Sequence, residues 1–163
     1  MKSKILAAGL VILWAGGAEA GEIRYPETGQ PAITADIPDG WHAEVRDDGN
    51  LHISSIDRNL EVLFSIVPFD GTLDDAAAEA MKANHATTPG RGPAISVSGH
   101  DGYTYYSMMG GDNGHILNMK MDVVRLDADN VGLFTIISDQ KVNQLMLSAA
   151  EAVLASVKLA PAQ

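Results

Sequence analysis

The chain has 163 residues, with 11 lysine and arginine residues against 21 aspartate and glutamate residues, and its formal net charge is −10. Such an acidic protein repels phosphate backbones and anionic lipid surfaces, so we expect no nucleic-acid partner. The sequence contains no cysteine, which excludes disulfides, a cysteine nucleophile and a lipid-modified cysteine.

The first twenty residues predict an exported protein. Residues 1–4 contain two lysines, residues 5–14 form an apolar run, and residues 18–20 read Ala-Glu-Ala. This order is typical of a secretory signal peptide, and the apolar run is too short to span a bilayer. We therefore expect cleavage before Gly21 and a soluble periplasmic or secreted product that does not insert into a membrane.

The segment that follows the cleavage site is expected to be a loose polar leader, residues 21–31, because it is polar and contains two prolines. Residues 32–160 are predicted to form a single α+β domain, a length that can bury a core without disulfides. The domain begins with a predicted strand at residues 32–37. A turn at Pro38-Asp39-Gly40 ends that strand.

A hairpin is predicted next, with strands at residues 41–46 and 51–56. A two-residue loop would pair Val45 with His52, whereas a three-residue loop with Gly49 in the left-handed conformation pairs Val45 with Leu51. We favour the second register, because a slip of one residue would turn half of the apolar set into water. In that register one face holds Trp41, Ala43, Val45, Leu51 and Ile53.

The later elements follow from turn residues and apolar periodicity. Hairpin-like connections dominate, so the sheet is expected to be mainly antiparallel, with helices packed against it. The predicted elements are a central strand at 60–67, a helix at 76–85 capped by Thr72, a loop at 87–93, a strand from 94 extending towards 109, strands at 115–125 and 131–138, and a helix at 141–158 capped by Ser138 or Asp139.

Several of these features occur together in a known family. They are the Ile37-Pro38-Asp39-Gly40-Trp41 turn, a helix after Asp70-Gly71, strands opened by residues 99–106, and a closing helix with residues 153–157. Over most of residues 32–158 the chain resembles the PsbP-like fold of photosystem extrinsic proteins, a Ran-binding nuclear import factor and many exported bacterial proteins. The resemblance implies an α/β/α sandwich with a binding or assembly role, and it transfers no functional residue.

One candidate metal site lies on the outer face of the predicted hairpin. His52 stands opposite Glu44 in the favoured register, and His42 lies diagonally nearby. Two imidazoles and a carboxylate suit zinc or copper(II). The alternative, which we favour, is a solvated strand face.

A second candidate is a row of methionines with one histidine. Met119, Met121 and His115 alternate along one predicted strand, and Met109 would stand opposite His115 if the loop at residues 110–114 closed symmetrically. Thioethers and imidazole suit copper(I). Because Leu117 shares the row and methionine is a common core residue, packing in the core is the favoured interpretation.

Three tyrosines on one predicted strand are candidates for a binding surface. Tyr103 and Tyr105 share a face, and Tyr106 points to the other. Tyrosine is enriched in interfaces because it buries much area at small entropic cost. The alternative, again favoured, is that these rings pack where a helix covers the sheet.

The sequence offers no motif of a known catalytic type. It lacks the G-x-S-x-G and H-E-x-x-H patterns as well as cysteine. We therefore predict a non-catalytic, exported accessory module that binds a protein partner without a cofactor. The alternatives are a periplasmic copper-binding protein that uses the methionine row, and an immunity-type inhibitor of a secreted toxin.

Overall fold

The computed structural model describes residues 21–111 and 114–161. The predicted signal peptide lies outside the described residues. The elements are β1 (Gly21–Tyr25), β2 (Ile33–Ile37), β3 (His42–Val45), β4 (Leu51–Ser54), β5 (Leu60–Pro68), α1 (Leu73–Ala83), β6 (Gly90–Val97), β7 (His100–Gly110), β8 (Ile116–Arg125), β9 (Asn130–Asp139), α2 (Gln144–Ser156) and β10 (Lys158–Leu159).

Two antiparallel sheets form the fold. The larger has seven strands in the order β3-β4-β5-β9-β8-β7-β6, and the smaller has three in the order β1-β2-β10. β5 lies inside the larger sheet and pairs with β9 over nine residues, as expected of the apolar run at 60–67. The predicted α+β class with a mainly antiparallel sheet is confirmed. Neither helix of the described ranges has the length and apolar character needed to cross a bilayer.

The register of the first hairpin is the predicted one. Val45 pairs with Leu51 and Ala43 pairs with Ile53, while Gly49 adopts a φ of 80°. Leu51 and Ile53 are fully buried, but Val45 is 60% exposed. The predicted apolar face is therefore wrong at Val45, because β3 is the edge strand of the sheet and its far end extends past the core.

The expected loose leader is a strand over part of its length. β1 pairs with β2 from Gly21 opposite Ile37 to Tyr25 opposite Ile33. Tyr25 is buried, and its hydroxyl donates a hydrogen bond to the Gly49 carbonyl oxygen at 2.7 Å. The polar composition of residues 21–31 gives no sign of this strand. Its pairing with β2 and the hydrogen bond from the buried Tyr25 to the hairpin hold it in place.

The strand predicted from residue 94 towards 109 is two strands. Ser98 and Gly99 adopt φ values of 50° and 82°, the positive values of a two-residue turn that matches the twist of a hairpin. β6 also starts inside the predicted loop at residues 87–93. Pro93 is tolerated there because β6 is an edge strand and its pairing with β7 is interrupted between Arg91 and Ala94.

Each helix begins directly after a residue whose side chain caps it. The Thr72 hydroxyl accepts a hydrogen bond from the Asp75 backbone amide, as predicted for α1. α2 begins at Gln144, and the Asn143 side chain accepts from the Leu145 amide at 2.8 Å. The expected cap at Ser138 or Asp139 is wrong, because both residues belong to β9.

The core is divided between the two faces of the seven-stranded sheet. α2 packs chiefly on β2, β5 and β9, whereas α1 packs chiefly on β7 and β8. The cluster on the α2 side includes Trp41, Phe64 and Phe134. The cluster on the α1 side includes Met81, Tyr105 and Met121. Because the helices cover different halves of the sheet, the β7–β8 part of the α2 face lies beside α2 and not beneath it.

Replacing Trp41 tests the larger cluster. Trp41 is 4% exposed, so we expect Trp41→Ala to lower the free energy of unfolding by about 3–5 kcal/mol. Urea unfolding of the two proteins measures this difference. Ile56→Ala is the control, since Ile56 is 75% exposed and its loss should cost about 0.5 kcal/mol or less. A cost below about 1 kcal/mol for Trp41→Ala would contradict the assigned burial.

Candidate functional site

A groove follows α2 where the helix leaves β7 and β8 uncovered. Strand pairing places Tyr106, Lys120 and Ile136 in one row across β7, β8 and β9. The next row consists of Met108, Asn118 and Ser138. Leu147 and Glu151 of α2 form the opposite wall, and the space between them is about 520 Å³. We call this space the α2 groove. Its lining consists of Tyr106, Met108, Asn118, Lys120, Ile136, Ser138, Leu147 and Glu151, with parts of Thr87, Thr88, Ser107 and Met119.

Large apolar side chains are exposed on this side of the molecule. Tyr106, Met108 and Ile116 are each about half exposed and point to the same face of β7 and β8. Leu145, in the first turn of α2, is 78% exposed. Exposed large apolar side chains grouped as Tyr106, Met108 and Ile116 are on β7 and β8 are typical of an interaction site.

The exposed surface of α2 carries almost no charge. The helix has one charged residue, Glu151, and its exposed positions include Leu145, Ser148, Ala152 and Ala155. Helices of soluble proteins ordinarily place charged residues on the side that faces water. The scarcity of charge is notable in a chain with 32 lysine, arginine, aspartate and glutamate residues.

A second space continues from the α2 groove along the C-terminal half of α2. It has a volume of about 380 Å³ and shares Lys120 and Glu151 with the groove. Asp122 belongs only to this second space, which we call the acidic pocket. Its full lining is Ile95, Ser96, Val97, Ser98, Lys120, Asp122, Glu151, Leu154, Ala155 and Val157.

Three ionisable groups line the acidic pocket, and two of them, Lys120 and Glu151, also line the α2 groove. The Lys120 ammonium donates a hydrogen bond to the Glu151 carboxylate and forms an ion pair with it. Burial lowers the pKa of Lys120, but the bond to Glu151 and the charge of Asp122 outweigh burial, so the pKa is raised overall. Burial also raises the pKa of Asp122, although the Thr104 hydroxyl donates to its carboxylate at 2.6 Å.

The sequence analysis missed this charged group, although a signal for it was present. Asn118, Lys120 and Asp122 alternate with Met119, Met121 and Val123, so one face of β8 is polar and the other is apolar. In a sheet that is expected to carry helices on both faces, that polar row marks a part of the sheet without a helix above it.

The structure separates the three candidate tyrosines as predicted. Tyr105 is buried under α1, and its hydroxyl donates to Asp74 at 2.6 Å. Burial and the Asp74 carboxylate raise the pKa of the Tyr105 hydroxyl. Arg91 pairs with Asp74 at 3.1 Å and lies 3.6 Å above the Tyr103 ring. Tyr103 and Tyr105 therefore help to hold α1 on the sheet, while Tyr106 lines the α2 groove.

The methionine row is present, but its histidine is not part of it. Met109 pairs with Leu117, so the expected pairing of Met109 with His115 is wrong. β8 begins only at Ile116, and His115 lies in the connection, with its Nδ1 atom 3.6 Å from Asp139. Relative to the predicted pairing, the β7–β8 register is shifted by two residues. Met109, Met119 and Met121 therefore stay on one face, while His115 lies before the start of β8. Met119 and Met121 are each 2% exposed, and both pack in the α1 cluster.

The hairpin candidates form a chain of hydrogen bonds and ion pairs. Glu44 and His52 are opposite each other as predicted, but the His52 nitrogens face Glu61 at 2.8 Å and Asp48 at 3.2 Å. His42 lies 3.4 Å from Glu44. Arg46 stands between Glu44 and Glu61 at 2.8 and 3.0 Å, and the hydrogen bond from Arg46 lowers the pKa of Glu44. Among residues 21–111 and 114–161, no group of three or more His, Asp or Glu side chains is arranged to hold a metal ion.

Asp122 makes stability depend on pH in a defined direction. A carboxyl whose pKa is raised by folding favours the native state when protonated, so its contribution is lost as the pH rises through that pKa. Asp122→Asn keeps an acceptor for Thr104 and removes the buried charge. We expect a higher urea midpoint than wild type at pH 7 and a difference that shrinks as the pH falls below about 4, the ordinary pKa of aspartate. An unchanged or lower midpoint at pH 7 would refute this assignment.

The buried methionines can be tested separately. Met119→Leu/Met121→Leu keeps the side-chain volume and removes both sulfur atoms, so we expect a folded protein that loses about 1.5 kcal/mol or less per site. Titration with copper(I) against a competing chelator should show no tight binding by either protein. Tight binding by wild type that the double variant abolishes would establish a copper site instead.

Comparisons with known proteins show what the fold resembles. No protein-family model and no curated protein matches the sequence. Among solved structures, LpqN of Mycobacterium tuberculosis, described as involved in cell envelope biogenesis, has a TM-score of 0.59 and 15% identity, and the match covers 88% of this chain and 93% of LpqN. Cyanobacterial PsbP (CyanoP) of Synechocystis has a TM-score of 0.59 and 16% identity, with 94% and 98% covered.

A third similar structure comes from a eukaryote. The Ran-binding protein Mog1p of Saccharomyces cerevisiae has a TM-score of 0.56 and 12% identity, and the match covers 86% of this chain and 96% of Mog1p. At these identities the likeness concerns the fold and not a shared activity. Together with the antiparallel sheets and the two helices, it shows that the chain has the PsbP-like fold.

Proposed function

We propose that the protein is a non-catalytic accessory module that acts outside the cytoplasm and binds a partner protein through the α2 groove. The observation that carries the proposal is the row of half-exposed apolar side chains, Tyr106, Met108 and Ile116, beside a helix whose exposed surface is nearly uncharged. Leaving such side chains in water is unfavourable, and an interface buries them. The order of basic, apolar and small residues in residues 1–20 supports the location.

The neighbours in fold are consistent with this proposal. LpqN is described as an envelope-biogenesis protein and Mog1p as a Ran-binding protein. These two roles differ, yet both proteins share the fold, so the partner has to be sought through the surface of this chain. The copper alternative has less support, because Met119 and Met121 lie under α1 and His115 lies outside their row.

Site-specific photocrosslinking tests the proposal. A benzophenone amino acid is placed at position 106 or 108 of the full chain, which is expressed in its native host and irradiated in intact cells. We expect one discrete adduct with an envelope protein at both positions. Ile56 is the control position, since it is a large exposed apolar residue in the turn before β5, and it should give about ten-fold less adduct.

A second variant separates binding from random contact. Tyr106→Glu places a charge in the α2 groove, so it should abolish the adduct at position 108 while leaving the unfolding midpoint close to wild type, because Tyr106 is half exposed. Equal adducts at positions 56 and 106, or an adduct at 108 that survives Tyr106→Glu, would refute the assigned surface.

A further inference from the structure

We propose that the α2 groove takes a partner segment that carries apolar side chains at one end and a lysine or arginine at the other, with that cation between Asp122 and Glu151. This inference rests on the proposed function and specifies the chemistry of the partner. It depends on three observations: the two spaces are continuous, one is neutral and the other acidic, and the Asp122 carboxylate has acceptor capacity to spare.

Continuity follows from the shared residues. Lys120 and Glu151 line both the α2 groove and the acidic pocket, so one extended segment can occupy both. The charges differ along this path. In the α2 groove one ammonium faces one carboxylate, whereas in the acidic pocket the single ammonium of Lys120 faces the two carboxylates of Asp122 and Glu151. A segment that matches both spaces therefore carries apolar groups at one end and a positive charge at the other.

Asp122 is the group with the most to gain from such a cation. Within the described residues, its carboxylate accepts a hydrogen bond from Thr104, and no Lys, Arg or His nitrogen lies within 4.0 Å of it. A carboxylate can accept about four hydrogen bonds, so most of its capacity is available. Burial raises its pKa, and an incoming cation would oppose that effect by stabilising the charged form.

Glu151 is the more accessible member of its ion pair. Its side chain is 43% exposed, against 24% for Lys120, so an incoming cation reaches the carboxylate without first displacing the ammonium. Lys120 is then a competitor for the same two carboxylates. The net charge of −10 adds a long-range attraction for basic segments.

Because Lys120 competes with the incoming cation and Glu151 binds it, removing the charge of Lys120 and removing the charge of Glu151 should have opposite effects on binding. The full-length protein is immobilised, and a phage library of random dodecapeptides is selected on it, with counter-selection on Tyr106→Ala, which removes the ring without adding a carboxylate. We expect the selected peptides to combine apolar residues with at least one lysine or arginine. The affinities of the labelled synthetic peptides are then measured by fluorescence anisotropy for four proteins: wild type, Lys120→Gln, Glu151→Gln and Asp122→Asn.

We expect Glu151→Gln and Asp122→Asn each to weaken binding about five-fold or more, and Lys120→Gln to strengthen it by a similar factor. If the ion pair only supported the structure, both of its variants would weaken binding. Urea unfolding of each variant confirms that it is folded. Replacing the basic residue of the peptide by glutamine should abolish the differences among the four proteins.

Three results would overturn the inference: selected peptides without a basic residue, loss of affinity in Lys120→Gln and Glu151→Gln alike, or no peptide that depends on Tyr106. None of these outcomes decides the proposed function, which rests on the crosslinked adducts at positions 106 and 108. Conversely, adducts that map to an acidic segment of the partner would support the proposed function and refute the inference that a basic residue enters the acidic pocket.

Discussion

The pairing of β5 with β9 is the constraint on which the rest of the structure depends. These strands pair over nine residues, and Phe64 and Phe134 meet edge to face across them with ring centroids 5.4 Å apart. α2 follows β9 after a connection of four residues, so it has to pack close to β9 and β5. The three-stranded sheet fills the rest of that face through Ile33, Ala35 and Ile37. The groove beside α2 is a consequence of this placement, because one helix cannot also cover β7 and β8.

The opposite face shows how β7 and β8 remain stable without α2. α1 covers them from the other side, where Tyr105 bonds to Asp74 and Arg125 donates hydrogen bonds to the carbonyl oxygens of Phe69 and Gly71. These contacts fix the start of α1 and the loop before it. On these two strands Tyr105, Met119, Met121 and Val123 belong to the α1 cluster, whereas Tyr106, Met108, Asn118 and Lys120 line the groove on the other face. The α2 groove is therefore built on strands whose other face is tightly packed.

The polar row on β8 is costly for the fold. Lys120 and Asp122 occupy positions on the α2 face where apolar residues would extend the core, and burial disfavours the charge of Asp122. The Lys120–Glu151 ion pair and the Thr104 hydroxyl offset part of this cost. In our proposal these charged groups contribute to the choice of partner. A basic residue of the partner would compete with Lys120 for the carboxylates of Asp122 and Glu151.

The sequence by itself determined the features that depend on neighbouring residues. The register of the first hairpin, the Thr72 cap and the opposite directions of Tyr105 and Tyr106 each follow from local spacing, and the structure has all three. Two local features were nevertheless predicted wrongly. The Ser98-Gly99 pair, followed by His100 and Asp101, is a turn signal that the predicted single strand ignored, whereas residues 21–25 lack the composition of a strand.

Only the tertiary structure decided the contacts between residues that are distant in the chain. Lys120 and Glu151 are 31 positions apart, and Tyr25 and Gly49 are 24 apart. Such pairs depend on which half of the sheet each helix covers, and apolar periodicity gives the buried face of a helix without its location. The methionine row illustrates the difference: alternation correctly placed Met119 and Met121 on one face, but a shift of two residues in pairing removed His115 from it. The position of the α2 groove likewise depends on tertiary structure, because the groove lies where the packing of α2 on the sheet ends.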